Sequence, residues 1–123
     1  MPIAYELEIK DDHIHVTARG ELQSVDEVTD YLHPLMDELV TLDAHTVLLD
    51  HRLITGDVEK VRSFNFADTL SQYFDKLSVL RIAVVSSQER FQYMKFIEAI
   101  AQNRGLMLLA FDSMSDAHQW LGD

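Results

Sequence analysis

The chain has 123 residues and no cysteine, with 21 acids against 10 bases for a formal charge of −11; 47% of it is hydrophobic and 25% charged. That length sustains one domain, residues 1–123, with its own apolar core. Without cysteine there is no disulfide framework, thiolate catalysis or Cys-type zinc site, and the negative field disfavours nucleic acid and acidic membrane surfaces as partners.

The N-terminus, MPIAYELEIK, has no basic segment followed by a long apolar one, so no secretory leader is expected there. No apolar run approaches the roughly 20 residues of a spanning helix. The expectation is a soluble cytoplasmic protein without membrane insertion. Residues 4–10 alternate, with Tyr5, Leu7 and Ile9 on one face and Glu6, Glu8 and Lys10 on the other. After Asp11-Asp12 the alternation resumes, Ile14, Val16 and Ala18 opposing His13, His15, Thr17 and Arg19. A two-residue turn at Asp11-Asp12 pairs Ile9 with Ile14, Leu7 with Val16 and Glu8 with His15, which predicts a hairpin with one buried and one wet face.

Ser24 with Glu27 three residues on is a capping-box signature. Val25, Val28, Leu32, Leu35, Leu39 and Leu42 follow as an amphipathic stripe, and Pro34 inside it predicts a kink. Thr46–Asp50 is a continuous apolar strand of the kind buried on both faces of a parallel sheet. A helix is expected from Asp57, carrying Val58, Val61, Phe64, Leu70 and Phe74 inward, with a break near Phe64-Asn65-Phe66. Val79–Val85 is another buried strand. Ser86 with Glu89 offers a second capping box for a long helix to about Arg104, with Gly105 as its C′ residue. Leu106–Phe111 is the last strand, and Ser113 with Asp116 caps a short helix bearing Ala117, Trp120 and Leu121. The order β-β-α-β-α-β-α-β-α implies an α/β fold: a mainly parallel sheet, an antiparallel edge strand first, and helices packed on the sheet.

That order, with "TVLLDHRLITG" at 46–56, "LRIAVVSSQERF" at 80–91 and "AFDSMSDAHQWL" at 110–121, resembles the SpoIIAA-like family of the STAS superfamily, the anti-sigma-factor-antagonist-like domains. It looks closest to the bacterial branch grouped with STAS and CRAL-TRIO domains, which the mid-helix Pro34 also fits. The resemblance spans essentially the whole chain, and the Phe-Asp…Ala-x-x-Trp-Leu ending is its most distinctive part. It implies a partly parallel sheet and an interaction role rather than chemistry. In the regulated branch an acidic residue precedes serines at a helix start, one of which is phosphorylated. Asp57 matches the acidic position, but Val58 and Glu59 stand where the serines belong, so the switch is expected to be absent. Glu59 supplies a fixed negative charge at that helix start.

Ligands of open α/β sheets bind beyond the carboxyl ends of the strands. The strand ends place Asp50, His51, Arg52 and Asp57 there, with Ser86, Ser87 and Asp112, as a candidate ligand or partner edge. A Ser-His-Asp set from Ser86 or Ser87, His51 and Asp112 defines a hydrolase alternative, but the Gly-x-Ser-x-Gly elbow is missing. Serines before helices are ordinarily caps, and Asp50 pairs more simply with Arg52. His13 and His15 share a strand face opposite Glu8 and could hold a divalent metal, yet no fourth ligand is indicated and a solvated face explains them as well. No phosphate-binding glycine loop or Walker lysine occurs among the four glycines, and no cofactor is expected.

The helix over 87–104 carries Phe91, Tyr93, Met94, Phe96, Ile97 and Ile100, more than the stripe a sheet requires; Phe64, Phe66, Tyr73 and Phe74 do the same one helix earlier. A buried core, an aromatic subunit interface and an apolar pocket all fit this surplus. The functional expectation is a non-catalytic interaction or regulatory module, a homodimer through aromatic helix surface, with a possible protein partner. The alternative is a carrier or sensor of a small apolar ligand, which the CRAL-TRIO likeness implies can be lipidic.

Overall fold

The computed structural model describes residues 2–61, 69, 72 and 80–122. The leading hairpin pairs β1 (Ala4–Ile9) with β2 (Ile14–Leu22) antiparallel, in the register that the alternation predicts: Ile9 opposite Ile14, Leu7 opposite Val16, Glu8 opposite His15. Lys10 N–H donates to His13 C=O at 2.8 Å, closing the turn around Asp11-Asp12. The strand faces are less sharply divided than expected. Ile9 at the tip is exposed, while the polar face of β2 is half-buried at His13, His15 and Thr17, because the last helix of the fold packs back on that side of the sheet.

Ser24 caps α1 (Val25–Thr41), its Oγ accepting from Glu27 N–H, and Glu27 Oε2 accepts from Gln23 N–H one residue earlier than a standard box. The helix runs on through Pro34 and buries Val28, Tyr31, Leu35, Met36 and Leu39. It closes in a Schellman motif, Asp43 N–H to Val40 C=O and Ala44 N–H to Leu39 C=O, with Asp43 at φ +53° in the left-handed region.

β3 (Thr46–Gly56) is the largest departure from expectation. It does not stop at Asp50. β4 (Arg81–Val85) does leave it there, at the pair Asp50↔Val85, but β2 stays alongside to Leu22↔Gly56. The polar run Asp50-His51-Arg52 therefore lies within a strand rather than at its end. Between Thr17↔Asp50 and Arg19↔Leu53 the register shifts, setting His51 and Arg52 against the single residue Ala18. This bulge in a parallel ladder returns Ile54 to the buried side. Gly56, at φ +100°, passes so close to β2 that a Cβ there would lie 2.7 Å from Leu22 O. After β3 comes a 3₁₀ turn (Val58–Val61) where a helix start is expected; Asp57 Oδ1 accepts from Glu59 N–H at 2.9 Å. Thr69 and Gln72 are helical; Phe64, Phe66, Leu70, Tyr73, Phe74 and Val79 lie outside the described residues.

Beyond β4, α2 spans Gln88–Asn103 and β5 Met107–Phe111. The N-cap of α2 is Ser87, not Ser86, and its side chain makes no capping bond. Gly105 fills the C′ position at φ +81°, with Gly105 N–H to Gln102 C=O and Leu106 N–H to Ala101 C=O. Ser113 caps α3 (Met114–Leu121) through Asp116 N–H, as the spacing predicts.

The result is one mixed five-stranded sheet in the order β1-β2-β3-β4-β5, antiparallel only at β1-β2. The helices α1 and α2, each joining two parallel strands, pack on one side of it. There Val16, Val47, Leu49, Ile82 and Val84 meet Leu35 and Leu39 of α1 and Ala101 of α2 in the main core. Leu35 and Leu39 have no exposed surface, and each buried leucine of this kind contributes about 1.5–3 kcal/mol. α3 covers the opposite side, where Ala117 and Leu121 pack on Leu48, Ala83 and Val85. Arg81 fastens it: the guanidinium stacks 4.6 Å from the Trp120 ring centre and Nη2 donates to Trp120 C=O.

The outer edge of β5 is screened. Phe111 C=O accepts from Ser86 N–H toward β4, so alternation turns Leu108 and Ala110 outward. Ala110 N–H donates to Glu98 Oε1 at 2.8 Å and Gln102 Nε2 donates to Leu108 C=O at 3.5 Å. One turn of α2 thus takes the place of a sixth strand.

Candidate functional site

The polar run of β3 divides between the two faces of the sheet. By alternation Asp50 follows Leu48 toward the α3 side, and His51 follows Leu49 toward α1. Asp50 binds Arg52 through a two-pronged pair, Oδ1 to Nε at 2.9 Å and Oδ2 to Nη2 at 2.8 Å, and also accepts from Arg52 N–H at 3.1 Å. The side chain of Asp50 is 8% exposed and that of Arg52 51%. Burial pushes the Asp50 carboxyl up, but the Arg52 hydrogen bonds and charge outweigh it and hold the group below its ordinary value. Asp50 is thereby committed as a structural carboxylate.

His51 stands in a different environment. Its Nε2 lies 2.7 Å from the Tyr31 hydroxyl, with the rings edge-to-face at 5.6 Å. Tyr31 in turn meets Tyr5 edge-to-face at 5.9 Å, and Tyr5 donates its hydroxyl to Glu38 Oε2. Desolvation lowers the His51 pKa to about 4, against a smaller upward pull from the Asp50 charge. Desolvation first, and the neighbouring Tyr5 second, push the Tyr31 phenol up. At neutral pH both groups are uncharged.

His51 and Tyr31 line a cavity of about 80 Å³. Its walls are Leu22 and Ile54 at the carboxyl ends of β2 and β3, Val28 and Leu32 of α1, Val61, and Tyr93 and Met94 of α2, with Ile3, Ser86 and Arg90. The cavity lies at the carboxyl ends of the parallel strands, where the topology leads one to look. Arg90 Nη1 donates to Ser87 Oγ and Nη2 to Gly56 C=O, both at 2.9 Å. Nε is buried with no hydrogen-bond partner among the described residues.

Of the predicted edge, the structure therefore brings His51 and Ser86 to one cavity and sends Asp50 and Arg52 away from it. Asp57 caps the exposed 3₁₀ turn, and Asp112 is exposed beyond β5. The Ser-His-Asp set is not assembled: Ser86 Oγ donates to Ser87 C=O, Ser87 Oγ accepts from Arg90, and His51 is taken by Tyr31. No hydrogen bond joins His51 to either serine among the described residues. Tyr31 and Arg90 are the two site residues that sequence reasoning missed. Tyr31 sits three residues after Val28 and four before Leu35, on the stripe itself. Arg90 carries a subtler signal, a cation in the first turn of a helix, where the backbone dipole favours anions.

The surplus apolar residues of α2 take several positions. Ile97 and Ala101 are buried against the sheet, while Tyr93 and Met94 pack on the main core and line the cavity. Phe91 is half-buried, with Lys95 Nζ 5.9 Å from its ring centre. Phe96 is 56% exposed. On the other side of the sheet Glu8 pairs with Lys10 at 2.8 Å and His13 Nδ1 lies 2.8 Å from Asp12. The His13 ring meets that of His118, on α3, edge-to-face at 5.6 Å. Desolvation lowers the pKa of His15, with smaller contributions from its neighbours. No group of three or more metal-donor side chains occurs among the described residues, and none of their helices is long and apolar enough to cross a membrane.

No protein-family model matches this chain, and no curated protein matches it by sequence. Solved structures do. An anti-sigma factor antagonist from Mycobacterium paratuberculosis superposes with a TM-score of 0.65 at 15% identity, over 98% of this chain and 95% of that one. An uncharacterized protein with a SpoIIAA-like fold from Shewanella loihica gives 0.56 at 16% identity, over 98% and 94%. With its antiparallel edge strand, sequential parallel strands and helices on both faces, the chain has the SpoIIAA-like fold.

Proposed function

We propose that this chain, acting as one domain, is a non-catalytic STAS-like interaction module that works in the cytoplasm without a serine phosphoswitch and self-associates through α2. The observation that carries the reading is the turn after β3. Where the family resemblance places an acidic residue and serines, Asp57 caps the turn through Glu59 N–H, and Val58 and Glu59 offer no hydroxyl for a phosphate. Two fixed acids hold negative charge at that corner, so the module is constitutive rather than toggled. An interaction role follows the precedent of the structural neighbour named an anti-sigma factor antagonist. The unassembled triad supports a role without hydrolysis. A charge of −11 favours a protein partner over nucleic acid. Sedimentation at high micromolar concentration is expected to give a dimer, and the intact mass of the protein purified from its own cells no phosphate adduct. A strict monomer would end the self-association, and a phosphoserine or phosphothreonine near Asp57 would end the constitutive reading.

A second reading is favoured by the cavity between α1, β3 and α2: the chain carries or senses a small apolar ligand. The volume of about 80 Å³ is well below the roughly 300–1,000 Å³ of ordinary ligand pockets. It therefore suits a compact molecule and not a long-chain lipid. Native mass spectrometry of freshly purified protein tests this reading through a co-purifying small mass.

A further inference from the structure

The two edges of the sheet are finished differently. Glu98 and Gln102 occupy the outward backbone groups of β5, and no side chain does the same for β1 among the described residues. Lys10 N–H donates to His13 C=O. In the register Glu8↔His15 and Glu6↔Thr17, Glu6 and Glu8 therefore also turn their backbone groups toward β2. The N–H and C=O of Tyr5, Leu7 and Ile9 point outward, and no hydrogen bond reaches them among the described residues. Such a row is a template for one more strand. The strand is held firmly, since the Tyr5 hydroxyl donates to Glu38 Oε2 of α1, and the row ends on Ile9, 67% exposed beside the turn.

The side chains of β1 decide which strand fits. Tyr5, Leu7 and Ile9 form the apolar side of the edge, and Glu6 and Glu8 the polar side, their side chains 80% and 70% exposed. Lys10 lies 2.8 Å from Glu8 and Arg19 3.8 Å from Glu6, exposed pairs of small energy. From Ala4 to Asp12 the chain carries Glu6, Glu8, Asp11 and Asp12 against Lys10 alone. A second copy of this chain is a poor guest. Antiparallel self-pairing centred on Leu7 sets Glu6 against Glu8 of the second copy at both ends. Moving the centre to Glu6 or to Glu8 sets that glutamate against its own equivalent. Like charges directly opposite destabilise a strand pair, and opposite charges stabilise it.

We propose that the outer edge of β1 takes up an extended segment of another protein as a sixth strand. In that segment basic residues at every second position face Glu6 and Glu8, and the apolar residues between them lie beside Leu7 and Ile9. Main-chain bonds to Tyr5, Leu7 and Ile9 hold the guest, and the alternating charges select it. The inference rests on the interaction-module reading above and gives it a partner surface separate from the face of α2.

The test is a titration of ¹⁵N-labelled protein at pH 7 with a capped heptapeptide alternating lysine and valine, lysine at both ends. Two further peptides run in parallel. One carries glutamate in place of every lysine; the other keeps the lysines but has proline for the central valine, which removes a donor and breaks the strand. The lysine peptide is expected to give saturable shifts and slowed hydrogen exchange at the outward amides of Tyr5, Leu7 and Ile9. The amides of Glu6 and Glu8, already bonded to β2, should change little. The glutamate and proline peptides should each bind about ten-fold more weakly or less. Glu6→Lys with Glu8→Lys, both at exposed positions that do not threaten folding, should reverse the preference between the lysine and glutamate peptides. Equal binding of the proline peptide would overturn strand addition, leaving mere attraction between charges. Equal binding of the glutamate peptide would overturn the basic guest. Protection of Tyr5, Leu7 and Ile9 that grows with protein concentration alone would give the edge to a second copy, which also overturns the proposal. No saturable shift with any peptide would remove the docking edge, while sedimentation of the α2 dimer still decides the interaction-module reading by itself.

Discussion

The imidazole of His51 is kept neutral by removal from water, and this gives the protein a definable acid response. Above pH 6.5 the ring is neutral in both the folded and the unfolded chain, so it contributes no pH dependence. Between 6.5 and about 4 the unfolded chain takes up a proton that the folded one refuses, and stability falls as the pH drops, by about 1.4 kcal/mol per unit. The loss approaches about 3.5 kcal/mol and levels off below about pH 4. Asp50 continues the decline, because a carboxyl held below its ordinary 3.8 stabilises the fold above that value and ceases to do so as it protonates in the folded state. Denaturation midpoints should therefore hold from pH 7.5 to about 6.5 and fall from there to 4.5, and His51→Asn should flatten the falling part of the curve. An unchanged slope in that variant would assign the acid sensitivity elsewhere. NMR titration of the His51 ring should show no inflection near 6.5.

Among the elements, the β5 edge invites the clearest experiment. Glu98 Oε1 on Ala110 N–H, with Lys95 bridging Oε2 at 2.8 Å, occupies a donor that would otherwise offer itself to a strand of another molecule. Glu98→Ala is expected to leave the fold in place, to cost about 1 kcal/mol, and to raise turbidity or light scattering during mild heating. If it scatters no more than the parent, the edge is protected by something other than Glu98. The sequence carried much of the architecture but not this contact. The hairpin register was legible because Tyr5, Leu7, Ile14, Val16 and Ala18 mark one face without ambiguity. The caps at Ser24 and Ser113 were legible because they act within one turn. The continuation of β3 to Gly56 was not. Asp50-His51-Arg52 interrupts the apolar run and reads as a strand end, whereas the second half of β2 keeps the strand paired. Alternation turns Asp50 and His51 to opposite faces, and the bulge at His51-Arg52 then returns Ile54 to the buried side. Arg90 and Tyr31 escaped notice because a site drawn from α1, β3 and α2 has no local spacing to betray it. Ser86-Ser87 offers two equivalent candidates for the cap of α2, and only the geometry chooses Ser87.

At the scale of the molecule, the sheet is closed to extension at β5, so association through the face of α2 is the route that the proposed function uses. Phe96, 56% exposed with Tyr93 beside it at 6.4 Å between ring centres, is the anchor that such an interface would bury. Phe96→Glu should shift sedimentation from dimer to monomer without altering the circular dichroism spectrum; a variant that remains dimeric would place the contact on another surface. A different consequence follows from the position of α3. The main core draws on α1 and α2, which precede β5, but the patch formed by Leu48, Ala83 and Val85 is covered by Ala117 and Leu121. A chain folded only as far as Phe111 holds every strand of the described sheet, with the patch of Leu48, Ala83 and Val85 not yet covered by α3. Until Asp112 to Leu121 follow and α3 docks, that apolar patch faces water. That interval is when the nascent protein is most adhesive, and when a ribosome-associated chaperone has the most to hold.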